Sequence, residues 1–564
     1  MAFYLSPGVY VKEIDLTTIV PSVGTTEGAF VGNFVWGPVD AIVTISNEDE
    51  LVRTFGEPDN STFRSFFSAA NFLAYGQNLK VIRAANTSLA NNATTGSQPV
   101  LIKNRDQYEI EYLDLSAANA VGMFAARYPG DLGNSLKVSV WASGNSAAYS
   151  SWAYNEEFNG VTGTSSFGTV NNSANDEMHI IVIDEDGKFT KTANTVLEKF
   201  AYVSKARDAT NDDGSSNYYV NVINDRSRYV YVMNSPIADN ANWGLAASNT
   251  KFVEDATSYT YSFANGASAT ASDGDIVRGY DKFRNAEEID ISLVVTGDAS
   301  VNVAQHVIDN LVEYRKDCVA FISPASANAV NNAGDEATDI VKYKNIIARS
   351  TSYAVMDSGW KYQFDKYNNV YRWVPLNADI AGLCVRTDFD RDPWFSPAGF
   401  NRGQIKNVVK LSWNPDKTDR DELYKNGINP VVSFPGEGVV LYGDKTLLAK
   451  PSAFDRINVR RLFIVLEKAI ARAAKYSLFE FNDEFTRAQF VALVEPFLRD
   501  VQGRRGIYDF RVVCDSTNNT PEVIDRNEFI GDIYIKPARS INYIQLNFVA
   551  VRTGVAFEEV VGKF

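Results

Sequence analysis

The chain has 564 residues, 45% of them hydrophobic, 12% aromatic and 22% charged, a composition that excludes collagenous, coiled-coil and wholly disordered classes. At about 150 residues per domain, the length predicts three or four domains, each with its own core. The formal net charge of −15 sets up a field that repels nucleic acid and anionic lipid, so neither is expected as a partner.

The N-terminus, Met1-Ala2-Phe3-Tyr4-Leu5-Ser6-Pro7-Gly8, has no basic segment followed by an apolar one, and no run of about 18 apolar residues follows anywhere. A chain that folds in a cytoplasm and does not span a membrane by itself is expected. Residues 1–25 read as an N-terminal arm: Gly8 to Ile14 is a short β-prone piece, followed by the polar, small-residue stretch Thr17 to Gly24. Such a strand is unstable alone and must join a sheet edge, its own or a neighbour's.

Residues 26–85 alternate apolar strands (Ala29 to Trp36, Ala41 to Ile45, Leu79 to Ala84) with a helical pattern through Phe63, Phe66, Phe67, Ala70, Phe72 and Leu73, which predicts an α/β unit. From 86 to 299 the texture shifts to Asn, Ser, Thr, Ala and Gly with short Tyr/Val strands, Tyr218 to Ile223 and Arg228 to Met233. Turns are expected at Asp212-Asp213-Gly214 and Asp273-Gly274-Asp275. A mostly β, solvent-facing insertion follows from that reading. The α/β pattern resumes over 300–420 with a helix through Val303, Val307, Leu311 and Tyr314 and a buried strand, Cys318 to Ile322. Residues 421–540 read as a separate α+β unit with a long helix from Arg456, a second over Glu484 to Gln502, and strands Ile507 to Cys514 and Phe529 to Lys536. The last piece, 541–564, alternates Ile544, Leu546, Phe548 and Ala550 against Tyr543, Gln545 and Asn547 and reads as a C-terminal arm strand. The fold class is therefore α/β and α+β multi-domain, with a β insertion and extended terminal arms.

Signals for chemistry are weak. Gly438 to Thr446 resembles a phosphate-binding loop, but Asp444 stands where the lysine belongs and would repel phosphate. His179 and His306 are the only histidines, and neither lies in a metal-ligand pattern. Asp184-Glu185-Asp186-Gly187 lacks the full ligand series of a calcium loop and suits a hairpin turn. There is no G-x-S-x-G elbow. The odd count of cysteines, Cys318, Cys384 and Cys514, predicts free buried thiols in a reducing compartment. No cofactor, metal or catalytic site is expected. A glycan hydrolase on the insertion is the rival of another class, with no particular carboxylate to support it.

One helix carries a sharper pattern. Leu462, Phe463, Leu466, Ile470 and Ala473 form an apolar stripe. On the other side Arg461, Lys468, Arg472 and Lys475 stand at offsets that place them within roughly 60° of one another at about 100° per residue. This basic ridge on an acidic chain reads either as a solvated face or as a dock for an acidic partner surface.

Longer motifs carry a resemblance. Ser6-Pro7-Gly8-Val9, Trp36-Gly37-Pro38, Thr54-Phe55-Gly56, Arg372 through Leu376, Asp379 through Cys384, Ser396-Pro397-Ala398-Gly399, Leu441 through Thr446, Phe454 through Leu462 and Pro537 through Tyr543 resemble the tail sheath proteins of contractile-tailed phages, most closely the T-even type. The match covers about 1–85 and 300–564 and thins to Tyr128 through Gly133 between them, where this chain looks shorter than the T-even type. The resemblance implies a virion subunit, assembled in the host cytoplasm, that stacks as hexameric rings around a tail tube with baseplate proteins and a tail terminator as partners. It also implies contraction that drives the tube through the host envelope, and terminal strands exchanged between subunits, carried here to Val9 and Val11 and to Ile544, Leu546 and Phe548. On the same resemblance the basic ridge would face the tube.

Overall fold

The computed structural model describes residues 23–113, 119–233, 242–254, 257–542 and 545. The centre is a seven-stranded sheet in the order Ile428–Asn429, Ala354–Asp357, Val319–Ile322, Leu293–Val295, Gly28–Gly32, Leu79–Arg83, Ile42–Ile45. All neighbours run parallel except the last pair. A parallel sheet needs both faces covered. Phe63–Leu73 and Asn377–Asp390 cover one face around Phe30, Phe66, Leu383 and Val385. Asp273–Asp281, the helical run from Val301 to Arg315, and Glu336–Ile347 cover the other around Val31, Tyr280, Val307 and Ile340.

The body is wider than the sequence reading of 26–85 and 300–420. Leu293–Val295 enters the sheet ahead of residue 300, and Ile428–Asn429 pairs with Ala354–Asp357 beyond residue 420. The hairpin of Val431–Phe434 and Gly438–Leu441 then packs Val431 and Leu441 into the body core. Three- and two-residue strands are too short to show a period, so their membership is decided by sheet neighbours.

The insertion leaves the sheet after Arg83 and returns before Leu293. It holds a four-stranded antiparallel sheet, ordered Thr195–Ser204, Glu177–Asp184, Leu136–Trp141, Tyr259–Ser262, and a small pair, Phe124–Ala126 with Val230–Val232. Two expectations fail here. Tyr219–Arg226 is a helix: Tyr219, Val220, Val222 and Ile223 are all buried, the spacing of a helical face, so tertiary packing overrides their β preference. Asp273-Gly274-Asp275 begins a helix in place of a turn, because Ser272 and Asp275 close a reciprocal capping box.

The C-terminal unit consists of the helices Ile457–Ala474 and Glu484–Gly503 and a two-stranded antiparallel sheet, Ile507–Val513 with Asp532–Pro537. Leu462, Leu466 and Ile470 pack with Phe490, Val494, Leu498 and Trp394, while Ile457 and Ile464 of the same helix enter the body core. This helix is a shared wall between two cores.

Candidate assembly sites

Val9 and Val11, and Ile544, Leu546 and Phe548, lie outside the described residues. The chain segments next to them are described; the N-terminal one lies on the Ile457–Ala474 helix, and the C-terminal one is held mainly by residues outside it. Val23 packs against Ala469 and Ala473. The Gly24 carbonyl accepts from Ser292 Oγ at 3.0 Å, and the Thr25 carbonyl accepts from Arg461 Nη2 at 3.3 Å. At the other end, Ala538 N donates to the Gly506 carbonyl at 3.1 Å. Ser540 Oγ then donates to Asp444 Oδ2 at 2.7 Å, and Tyr424 OH donates to Asn542 Oδ1 at 2.8 Å.

Of the proposed basic ridge, Arg461, Lys468 and Arg472 lie on the Ile457–Ala474 helix and Lys475 directly follows it, and the first two meet carboxylates of the same chain. Arg461 is 4% exposed and its guanidinium grips Asp388 with two bonds of 2.8 and 2.6 Å, a planar fork on a planar carboxylate. Lys468 Nζ donates to Asp290 Oδ1 and to the Ile291 carbonyl, each at 2.8 Å. Arg472 reaches the same Asp290 at 3.1 Å from an exposed position, and Lys475 is exposed. Against the cost of burial, Lys468 and Arg472 hold the Asp290 carboxyl below its ordinary range. The acidic surface that receives Arg461 and Lys468 is therefore the chain's own body, and the solvated ridge shrinks to Arg472 and Lys475. Helical spacing places side chains on a face; it cannot tell whether that face meets solvent or another part of the same chain.

Beyond Lys475 the connection to the next helix and that helix's first turn expose five large apolar side chains: Tyr476 at 71%, Leu478 at 62%, Phe479 at 104%, Phe481 at 84% and, in the helix, Phe485 at 75%. Phe479 holds φ at 70°, a conformation bulky residues rarely adopt. The nearby two-stranded sheet exposes Tyr508 and Tyr534, and each of its strands has one unpaired edge among the described residues. Tyr476-Ser477-Leu478-Phe479-Glu480-Phe481, an apolar run with no helical period between two helices, is the one signal in the sequence for this exposed cluster, and it went unread above.

The motifs considered for chemistry have structural jobs. Asp444 is 3% exposed; its carboxylate accepts from Ser396 Oγ at 2.9 Å and pairs with Arg456 at 3.2 Å. A Cβ on Gly443 would stand 2.9 Å from Asn429 Oδ1 and 3.0 Å from the Tyr424 ring, so side chains fill the space a phosphate cradle needs. Asp184 is buried and accepts from Ser135 Oγ and from the amides of Phe189 and Thr190, the internal satisfaction of a turn. His179 is buried and stacks on Phe158 at 4.2 Å. Burial pushes its imidazole below the ordinary value. Cys318, Cys384 and Cys514 are free and buried. Among the described residues no group of three or more His, Cys, Asp or Glu is placed to hold a metal ion, and no helix is long and apolar enough to cross a membrane.

The chain matches three protein-family models: the phage tail sheath protein central domain over residues 269–447, the phage tail sheath C-terminal domain over 449–550, and the tail sheath protein Gp18 domain III N-terminal region over 28–84. It is 35% identical to the tail sheath protein of Vibrio phage KVP40 over 99% of this chain and 100% of that protein. It is 33% identical to the tail sheath protein of Enterobacteria phage T4 over 99% of each. These alignments run to 693 and 676 positions against the 564 residues here, so both relatives are longer chains. Among solved structures, the sheath tail protein Lin1278 from Listeria innocua superposes with a TM-score of 0.52 at 11% identity, over 92% of this chain and 96% of that one, a likeness of fold. The relatives are structural tail proteins and not enzymes. This chain belongs to the tail sheath proteins of contractile phages and is a structural component of the virion tail.

Proposed function

We propose that the chain stacks as hexameric rings in a helical lattice around a tail tube and contracts to drive the tube through the host envelope for genome delivery. The observation that carries this reading is the incomplete C-terminal sheet, two strands with an unpaired edge on each among the described residues, the second of which runs directly into the segment 538–542. A two-stranded sheet is marginal alone and gains from added strands. The N-terminal strand around Val9 and Val11 and the C-terminal strand around Ile544, Leu546 and Phe548 supply them to neighbouring copies. Each arm adds four or five ladder bonds of about 0.5 to 1.5 kcal/mol. That is a few kcal/mol per arm, repeated at every subunit, so the lattice hinges without coming apart.

A contact that repeats head to tail without closing generates a tube, and contraction exchanges one packing of that lattice for another of lower free energy. The C-terminal unit faces the tail tube, with Arg472, Lys475 and the apolar loop 476–485 as the touching surface. Baseplate proteins start the lattice and release it, a tail terminator closes it, and assembly takes place in the host cytoplasm.

Negative-stain electron microscopy of the full chain, and of chains lacking residues 1–20 or 541–564, tests this. Striated hollow tubes from the full chain that vanish on either truncation are the expected result. Monodisperse particles throughout, even with tube and baseplate supplied, would refute it.

A further inference from the structure

Two ion pairs onto buried carboxylates stand at the start of one helix and share one kind of client. Arg456 is the residue before Ile457–Ala474, and Arg461 lies in its second turn, five residues on and about 7.5 Å along the axis. Arg461 binds Asp388 from a position where both side chains are 4% exposed, and it also donates to the Thr25 carbonyl. Arg456 pairs with Asp444, whose side chain is 4% exposed and whose other oxygen accepts from Ser540. Arg456 also donates to the Tyr424 hydroxyl, which in turn donates to Asn542. In the first turn Asn458 Nδ2 lies 3.5 Å from the Ala538 carbonyl. Residues 23–25 and 538–542 are the ends of the continuous described stretches nearest the two chain ends, and Asp388 and Asp444 both belong to the body rather than to the C-terminal unit.

We propose that the Ile457–Ala474 helix is the common mount of both terminal arms, with Arg461–Asp388 clamping the root of the N-terminal arm and Arg456–Asp444 clamping the root of the C-terminal arm. The proposal rests on the reading of the termini as arms that bind neighbouring copies. Its consequence is that tension on one arm reaches the other through about one and a half turns of a single helix and bypasses the insertion. Arg461–Asp388 is a buried two-bond pair and Arg456–Asp444 a single contact onto a buried carboxylate; both suit this task because a clamp must resist displacement, and removing one partner leaves a buried charge unpaired. The helix is itself held on two sides, by Ile457 and Ile464 in the body core and by Leu462 and Leu466 in the C-terminal core, so it cannot swing with either arm alone. Asp388, Asp444, Arg456 and Arg461 are positioning residues; none of them contacts a neighbouring copy in this account.

Amide hydrogen exchange on the isolated full-length subunit tests the mount without requiring assembly. Asp444→Asn is expected to speed exchange over 538–542 by about tenfold, the equivalent of one charge-assisted hydrogen bond, and Asp388→Asn to do the same over 23–27. A common mount requires each change also to speed exchange at the opposite root by a smaller factor. Ser540→Ala, which removes one hydroxyl from Asp444 and no charge, serves where an Asp variant fails to fold, and should loosen 538–542 alone. Exchange confined to the mutated root in both Asp variants would overturn the shared mount, and unchanged exchange at both roots would overturn the clamps. Failure of the wild type to form tubes would count against the sheath lattice and leave these exchange rates as they stand.

Discussion

In the insertion Trp141, Tyr108, Tyr219 and Tyr231 are fully buried, and among its described residues the exposed apolar side chains are dispersed, Val170 at 85% and Leu245 at 52% standing singly and Ile110 at 83% with Leu113 at 49% forming one pair. In the C-terminal unit Tyr476, Leu478, Phe479, Phe481 and Phe485 stand exposed within ten residues, next to a sheet of two strands. Scattered apolar residues need no explanation, whereas a cluster marks a surface made to be covered. The insertion is finished by its own fold and the C-terminal unit is not. On the proposed reading, polymerisation depends on the C-terminal unit and the insertion is outer decoration.

Predictions that break or sharpen this contrast begin with the buried groups. Trp141 is 1% exposed and donates from Nε1 to the Ser143 carbonyl at 2.6 Å; Trp141→Ala should cost about 3 to 5 kcal/mol. Calorimetry should show that loss on the insertion's transition, with tube formation retained at low temperature. Arg461→Met should cost a comparable 3 to 5 kcal/mol or so, because Asp388 is left buried and unpaired, and here tube formation should fall together with the melting temperature. If Arg461→Met subunits polymerised normally, the helix would not be tied to assembly.

A mid-sized effect lies in the body. Burial pushes the Asp357 carboxyl up to about 8, against hydrogen bonds from Ser323 Oγ and the Gly359 amide. The folded state therefore holds a proton that the unfolded chain releases near its ordinary value of about 3.9. With more protons bound in the folded state, the contribution of this group to stability is full below about pH 4 and declines as pH rises towards about 8, by at most about 1.4 kcal/mol per pH unit. Asp357→Asn should remove that slope from urea midpoints measured between pH 5 and 8. An unchanged slope would mean the carboxyl is ionised in the folded chain.

The smallest effect on stability is expected where the contrast is sharpest. Phe479→Ser with Phe481→Ser should move the subunit's urea midpoint by no more than about 0.5 kcal/mol, since both side chains are in solvent. The same pair should lower the yield of sheath around the tube severalfold in sedimentation.

The sequence reveals elements whose period is long enough to read. Phe63–Leu73 and Ile457–Ala474 show helical spacing over three or more turns, and the buried strand Gly28–Gly32 is a continuous run of small and apolar residues. Leu293–Val295 and Ile428–Asn429 are too brief for any pattern, and the body's limits move because of them. Tyr219–Arg226 misleads because β-branched and aromatic residues pack equally well on a buried helical face. The ridge is the instructive case. Charge and spacing leave Arg461 and Lys468 open to solvent or to an acidic surface, and the surface that takes them, Asp388 and Asp290, is contributed by the same chain from positions 73 and 178 residues away, a distance over which no local pattern reports.

Hydroxyl-radical footprinting of the isolated subunit and of the assembled sheath tests the contrast most directly, because it reads side-chain exposure residue by residue. Tyr476, Phe479, Phe481, Phe485, Tyr508 and Tyr534 should lose most of their labelling on assembly while Val170 and Leu245 keep theirs. Protection that appeared on the insertion and spared the C-terminal unit would contradict the account.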